Sequence, residues 1–507
     1  MRITNKMMTN NMMSNINKNK FNMSILEQQY STGKRIQRPS EDPIIAVRAL
    51  KLRTSLSELA QYHEKNIPDA FSWLDLTESA IKTINGRLGE INTQCVYGAT
   101  DSLTAFDRSA IVQNLVEMKA QIYSEGNTNF AGRYVFTGYK TDSSLTFTEG
   151  TTDFSYEITE SKTGADILSA SSVVGSYGVE DFDDALVSFN QAPRIVDYKR
   201  IQLSYDQLDA SAVPPIEIEY IDPVSGATVN IPFDDPVGTG KIKTTSITDD
   251  AITNHYEPDP DEIHYIPETG ELILGQNVYN ELKNASSIDM KYNKSSFSEG
   301  DLKPEHYFDC NRTNIDTLET IPFKRPDGKQ EIQYEVNYNQ KLTINTEGSE
   351  VISHKIGRDI TEILNSVNDV IATEKKIAEV EKRLEDTTLS DKDRERYEKM
   401  LGQLSTELEL KKEVMQDAFT QGNKTSDSEQ TRVNMASADL GSRYVRLQLT
   451  ENRLASQKVD FKDLMNQNEN VNIVDTIIEF GSAEVIYNAS LNAASRIVQN
   501  SLLDFLR

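Results

Sequence analysis

Between Leu52 and Cys95 a mostly apolar stripe recurs at alternating steps of four and three residues. It reads Leu52, Leu56, Leu59, His63, Ile67, Ala70, Leu74, Thr77, Ile81, Ile84, Leu88, Ile91 and Cys95. Only a helix puts residues so spaced on one face, so the stretch predicts a helix of roughly 60–65 Å at ~1.5 Å per residue. One such helix has a sticky side but no core, and it needs partners of similar length. Pro68 lies inside it and is expected to kink it or split it, since proline lacks the N–H and clashes with the preceding turn.

The chain supplies candidate partners. Thr104 to Asp107 reads as a capping box for a helix carrying Ile111, Leu115, Met118 and Ile122. From Gly357 the same period returns with Ile360, Leu364, Val367, Ile371, Val380 and Leu384. Thr388 or Ser390 can cap a following segment with Tyr397, Leu401, Leu404, Leu408, Met415 and Phe419 along one side. Gln421 to Glu429 is polar and reads as a break, after which Val433, Leu440, Tyr444, Leu447, Leu454, Phe461 and Met465 lead into the last segment.

Between these blocks the character changes. Residues 141–330 hold 12 of the 15 prolines, and 35 Asp and Glu against 14 Lys and Arg. Ile216 to Tyr220 and Thr228 to Ile231, joined across Pro223 to Gly226, read as a hairpin. Glu271 to Leu274 and Ile332 to Ile344 alternate as short strands, and Asn127 to Gly138 reads as a turn into another. The chain therefore predicts an α+β, multidomain fold. A helical-bundle or coiled-coil rod is expected from residues 43–140 and 331–465, folded back on each other, with a β-rich, acidic, outward-facing insertion at 141–330.

Both ends carry further helical patterns. Asn472 to Arg507 gives Ile473, Ile477, Phe480, Tyr487, Leu491, Val498 and Phe505 along one side, widened by Val474, Ile478, Val485 and Leu502. Residues 1–42 carry Ile3, Met7, Leu26 and Tyr30 amid many asparagines, with half of the chain's 12 methionines. Asparagine is a poor helix former, so this segment is expected to order only in an assembly. Gly33 is expected to stop its helix, and Ser40 or Asp42 to cap the next with Pro43 in its first turn. Residues 1–42 and 466–507 are thus read as assembly helices, and the interface residues expected are Ile3, Met7, Leu26, Tyr30, Ile473, Ile477, Phe480, Tyr487, Leu491, Val498, Leu502 and Phe505.

Composition excludes several classes. A net charge of −26 argues against nucleic-acid binding, and no apolar run is long enough to cross a membrane. The amino terminus is basic, with no acidic residue before Glu27, but it lacks the apolar core of a cleaved secretory signal. Cys95 and Cys310 lack the spacing of metal ligands, and Cys95 continues an apolar stripe as a free thiol. His63-Glu64-Lys65-Asn66-Ile67 opens like a zinc-protease motif but has isoleucine where the second histidine is required. Gly238 to Lys241 lacks the first glycine and the hydroxyl of a phosphate loop. The densest set of candidate ligands is His255 to His264, an acidic, proline-broken loop. No catalytic arrangement, cofactor or metal site is expected.

Several short motifs, taken in order, resemble the flagellin superfamily. They are Met1-Arg2-Ile3-Thr4, Thr32-Gly33-Lys34-Arg35-Ile36, Ser40-Glu41-Asp42-Pro43, Asn66 and Ser72-Trp73-Leu74-Asp75. Asn127-Thr128 and Gly132-Arg133-Tyr134-Val135-Phe136-Thr137-Gly138 follow, and then Ala494-Ser495-Arg496-Ile497 and Ser501 to Leu506. The positions that carry the resemblance are Gly33, Asp42, Pro43, Asn66, Trp73, Gly132, Tyr134 and Gly138. Together the motifs cover about the first 140 and last 75 residues. Arg2, Asp42-Pro43 and the Ser501 to Leu506 ending resemble its hook-associated junction proteins more than its filament subunits. The resemblance implies a structural adaptor between flagellar hook and filament, in which paired terminal helices line an axial tube and inserted domains face outward. It implies partners: further copies of the chain, a neighbouring hook-associated junction protein, flagellin, and an export chaperone on the carboxy-terminal helix. It also implies a place outside the cell on the bacterial flagellum, reached by the flagellar type III route without a cleaved signal. The alternatives are a filament subunit, a cation-binding or enzymatic module carried by the acidic insertion, and a non-flagellar coiled-coil surface protein.

Overall fold

The computed structural model describes residues 5–505 apart from 101–102, 179, 183–186, 188, 212–213, 224, 234–239, 248–253, 327 and 387–388. At 5, 105, 180 and 497–505 it describes the backbone alone. The chain forms two compact units. One comprises Met1–Ala70, Tyr334–Leu342 and Val445–Arg507; the other comprises Phe71–Gln333 and Thr343–Tyr444.

In chain order, α1 (Asn5–Thr32), α2 (Pro43–Gln61), α3 (Ile67–Gly98) and α4 (Ala105–Glu125) come first. Short strands β1 (Asn129–Phe130) and β2 (Arg133–Tyr134) follow, then β3 (Phe154–Lys162), β4 (Leu168–Val174), β5 (Arg194–Gln202), β6 (Ile216–Ile221) and β7 (Thr228–Ile231). Next are β8 (Ile242–Thr244), β9 (Ile263–Ile266), β10 (Glu271–Leu274), α5 (Gln276–Leu282), β11 (Ile288–Lys294), β12 (Asp309–Asn314) and β13 (Thr320–Phe323). The hairpin β14 (Gln333–Asn337) and β15 (Gln340–Thr343) leads to α6 (Gly348–Val351), α7 (His354–Leu384), α8 (Asp391–Glu469) and α9 (Ile473–Phe505). The fold is α+β and multidomain.

In the second unit the expected stripe is the core face of α3. Leu74, Thr77, Ile81, Ile84, Leu88, Ile91 and Cys95 are all buried. Each leucine-sized side chain removed from water contributes ~1.5–3 kcal/mol, so this face alone accounts for much of the packing. The partner across it is α8. Ser426 Oγ donates to the Leu88 carbonyl at 2.7 Å, and Asn85 Nδ2 donates to Asn434 Oδ1 at 2.9 Å. Gly98 lies so close to the Phe419 ring that a Cβ there would stand 2.4 Å from it. Helix α4 packs beside α7, where the Tyr123 hydroxyl donates to the Ser353 carbonyl at 3.2 Å. Its start carries the expected capping box between Thr104 and Asp107.

Two sheets of the same unit share one core. The larger runs in the order β13-β12-β3-β11-β6-β7, antiparallel throughout; the smaller runs β4-β5-β10-β9-β8, with only β8 parallel to its neighbour. The expected hairpin is β6–β7, with Ile218 opposite Ile231. Ile158, Met290 and Tyr292 from one sheet and Ile201, Tyr265 and Leu272 from the other meet in the core. Inside, Glu160 accepts from Ser204 N–H (3.0 Å), Ser204 Oγ (2.8 Å) and Tyr292 Oη (2.7 Å), as a buried carboxylate requires.

Two expectations are corrected. The forty-residue helix from Leu52 to Cys95 is not one α-helix, nor is it split: α2 passes into a π turn at Tyr62–Asn66 and then into α3. The Ile67 N–H bonds back to the Tyr62 carbonyl, five residues earlier. This extra residue just before Pro68 widens the helix where the proline ring would otherwise crowd the preceding turn. The polar stretch Gln421 to Glu429 is no break either, because α8 runs unbroken for 79 residues. Ser426 finds its partner on α3, and Gln421 and Ser428 bond to Thr425 within α8 itself, so these polar side chains do not interrupt the helix. Of the two candidate caps, Ser390 accepts from the Asp393 N–H at 3.2 Å, and Thr388 lies outside the described residues. Cys95 and Cys310 are free and buried, and burial pushes both thiols up to about 12.

Candidate assembly surface

The terminal helices pair within the first unit. Asn19 Nδ2 donates to Ser490 Oγ at 3.0 Å while Lys34 bridges Asn470, so α1 and α9 run antiparallel. On α1 the shielded positions include Thr9, Met12, Ile16, Asn19, Met23 and Leu26, with Ile25 and Gln29 beside them. On α9 they include Thr476, Phe480, Ala483, Tyr487, Ser490 and Ala494, with Gly481 beside them. Both sets step by three and four, the spacing of a coiled-coil seam. Four of the six α9 seam residues are Ala, Ser or Thr, which lets two backbones approach closely.

This seam divides the expected interface. Leu26, Phe480 and Tyr487 lie half-buried in it, whereas Met7, Tyr30, Ile473, Ile477 and Leu491 are exposed. Ile3, and the side chains of Val498, Leu502 and Phe505, lie outside the described residues. Beside the seam, the first half of α9 carries an apolar arc. Val474 is 64% exposed, Ile478 62% and Val485 68%, with Ile473 and Ile477 at its edge. At 100° per residue these five span about 140° of the helix. The sequence reading took this side of the helix as one broad face and did not separate the part closed within the chain from the part left open. The small residues at 476, 483, 490 and 494 carried that signal through their spacing.

The joints between helices meet around Glu469. Gly33, at φ +67°, ends α1, and its carbonyl accepts from the Val471 N–H at 3.0 Å. The Arg35 N–H donates to the Glu469 carbonyl at 2.7 Å. The Glu469 carboxylate takes Arg53 Nε at 2.6 Å and Nη2 at 2.7 Å, with Lys34 Nζ at 3.4 Å. The Arg53 hydrogen bonds hold this carboxyl below the ordinary glutamate range. Asp42 caps α2, accepting from Ile44 N–H (2.9 Å) and Ile45 N–H (3.1 Å), and Pro43 occupies its first turn. Asn466 and Asn468 sit nearby in the last turn of α8, and Asn468 Nδ2 donates to the Ile45 carbonyl at 3.2 Å. Asn66, in the π turn, donates to the Glu335 carbonyl at 2.8 Å in the β14–β15 hairpin.

The remaining motif positions are structural in the second unit. Trp73 is buried, edge-on to Phe130 at 6.0 Å. Gly132 (φ +84°) makes the turn of the β1–β2 hairpin that carries Tyr134. Gly138 (φ +60°) lies against Gln330, whose Oε1 accepts from the Tyr139 N–H at 2.9 Å. His264, expected in the acidic loop, lies in β9, and its Nδ1 stands 2.8 Å from the His255 carbonyl, so one of the ring nitrogens is engaged with backbone. Among the described residues no group of three or more His, Cys, Asp or Glu side chains is placed to hold a metal ion, and no helix is long and apolar enough to cross a membrane.

Residues 3–141 match the family model of the bacterial flagellin N-terminal helical region. Flagellar hook-associated protein 3 of Salmonella typhimurium is 32% identical over 143 residues, which is 28% of this chain and 45% of that protein. The Escherichia coli protein of the same name is 29% identical over 192 residues, covering 36% of this chain and 57% of that one. The chain thus spans about half the length of these relatives. A solved FlgL structure from Xanthomonas campestris aligns over 82% of this chain and 99% of its own, at 11% identity and a TM-score of 0.30. The fold described above rests on the chain's own elements.

Proposed function

We propose, from the flagellin-type region at residues 3–141, that the chain is a structural subunit of the bacterial flagellum at the joint between hook and filament. It acts by helix pairing between subunits and performs no reaction. The observation that carries this is the open apolar arc of α9 beside a seam already closed by α1. Such an arc finds cover in a neighbouring subunit, or before assembly in an export chaperone. Further copies, a neighbouring hook-associated protein and flagellin are the partners. The place is outside the cell, reached by the flagellar type III route. Ordering of residues 1–42 and 466–507 on assembly, rods from 43–140 and 331–465, and an outward-facing 141–330 belong to the same proposal.

The test is a strain lacking the gene, complemented with Ile478→Asp/Val485→Asp. The purified double variant should melt within about 0.5 kcal/mol of wild type per site, as exposed substitutions do, yet fail to restore filaments or swimming. Restored swimming would sink the role given to the arc. A filament subunit is the second reading, favoured because the matched family region is that of flagellin itself.

A further inference from the structure

The second unit holds a cavity of about 510 Å³ where the start of α7 faces α8 and the last residues of β3 and β5. Its size suits a small organic molecule. The start of α7 is electrostatically unfinished. This helix is 31 residues long, its N-cap Ser353 makes no side-chain capping bond, and its first turn has no acidic residue. Ser353 Oγ is buried without a hydrogen-bond partner. The positive end of the helix dipole carries instead Lys355 and, one turn on, Arg358, so like charges are stacked where an anion would be favoured.

A second observation comes from the walls. Arg358 is 9% exposed; its terminal nitrogens go to Asp206 (2.9 Å) and to the Thr269 carbonyl, and its Nε has no partner. Tyr307, 8% exposed, lines the cavity with its hydroxyl unpartnered, and the adjoining His354 has Nε2 unpartnered. Buried donors left unpaired are destabilising, and the Ser353 and Tyr307 hydroxyls with Arg358 Nε place three around one cavity against a single unpartnered carboxylate oxygen, Asp359 Oδ2, which points to an acceptor that belongs there. Lys162, Lys355, Arg358, Lys424 and Arg432 line it against the carboxylates of Glu160, Asp166 and Asp359. Glu160 is committed to Lys162 (3.0 Å) and Asp166 to Lys355 (3.5 Å), while Asp359 keeps one buried oxygen unpartnered and burial pushes its carboxyl up to about 6, toward the neutral form. Lys424 stands exposed on α8. Leu203, Phe308 and Ile352 supply an apolar wall.

We infer that this cavity binds a small organic oxyanion, a carboxylate or phosphate, with the charged group at the start of α7 and the carbon body against the apolar wall. The site is independent of the assembly role.

The test is calorimetric titration of the full-length chain at low ionic strength with inorganic phosphate and, separately, with benzoate. One saturable site per chain is expected for at least one of them, with Kd below about 1 mM. Phosphate alone would identify a phosphoryl ligand, and benzoate an aromatic carboxylate. Ser353→Asp places a built-in anion at the N-cap. It should weaken binding at least tenfold while raising Tm, because aspartate is a favourable cap. Lys424→Glu, on an exposed side chain that leaves the fold intact, should weaken binding at least threefold. No saturation by either anion, or wild-type affinity in both variants, would overturn the inference.

Discussion

Glu469→Gln tests how the helix joints of the first unit are held. The carboxylate is nearly buried and accepts two hydrogen bonds from one guanidinium, at 2.6 and 2.7 Å, with Lys34 at 3.4 Å. Bonds to charged groups contribute ~1.5–3 kcal/mol when shielded, but exposed ion pairs contribute only ~0.2–1. Arg53 and Lys34 are largely solvent-exposed and can rehydrate, which places the loss at about 1–2 kcal/mol. Such a loss raises the population of locally opened chain about 5–30-fold. Hydrogen exchange reads it at the Arg35 and Val471 amides, which close the joint on the Glu469 and Gly33 carbonyls. Their protection should fall by that factor, while the β3–β11 ladder is unchanged. The pH dependence has a fixed sign. The folded pKa is depressed by Arg53, so the stabilisation is present above the unfolded value near ~4.3 and is lost as pH falls through the folded value. Wild-type protection at these amides should therefore decline below about pH 5, and the glutamine variant should lack that decline. Equal protection in the two proteins at neutral pH would refute the clamp.

Asp42→Ala removes the acceptor of the Ile44 and Ile45 amides, and should destabilise the first turn of α2 by about 1 kcal/mol, read as faster exchange there. The α1–α9 register is testable by crosslinking: Asn19→Cys with Ser490→Cys should form a disulfide on oxidation, and Asn19→Cys with Ala483→Cys, two helical turns away, should not. The native Cys95 and Cys310 are buried and should not compete.

Much of the helical plan was legible because burial there follows from spacing within one segment. Leu74 to Cys95, the Thr104 cap, Gly33 and Asp42 needed only local chemistry. The π turn was not legible, because proline predicts disturbance without saying whether the helix kinks or absorbs a residue. Nor was the continuity of α8 through Gln421 to Glu429, since Ser426 is satisfied by Leu88, more than 300 positions away in the chain. The order of the eleven strands in the two larger sheets is likewise non-local. On α9 the large residues drew the eye to one broad face. Thr476, Ala483, Ser490 and Ala494 decide which side closes, and small residues give a weak hydrophobic signal. The cavity at α7 depends on unpaired donors from α7 and the segment before β12, and no motif announces that.

The most direct measurement is immunogold labelling of intact flagella with antibody to this chain, in the bacterium that encodes it. A structural subunit of the joint predicts one compact cluster of gold per flagellum, at the boundary between hook and filament. Gold spread along the filament would make the chain a filament subunit. Flagella without label would contradict a flagellar role altogether.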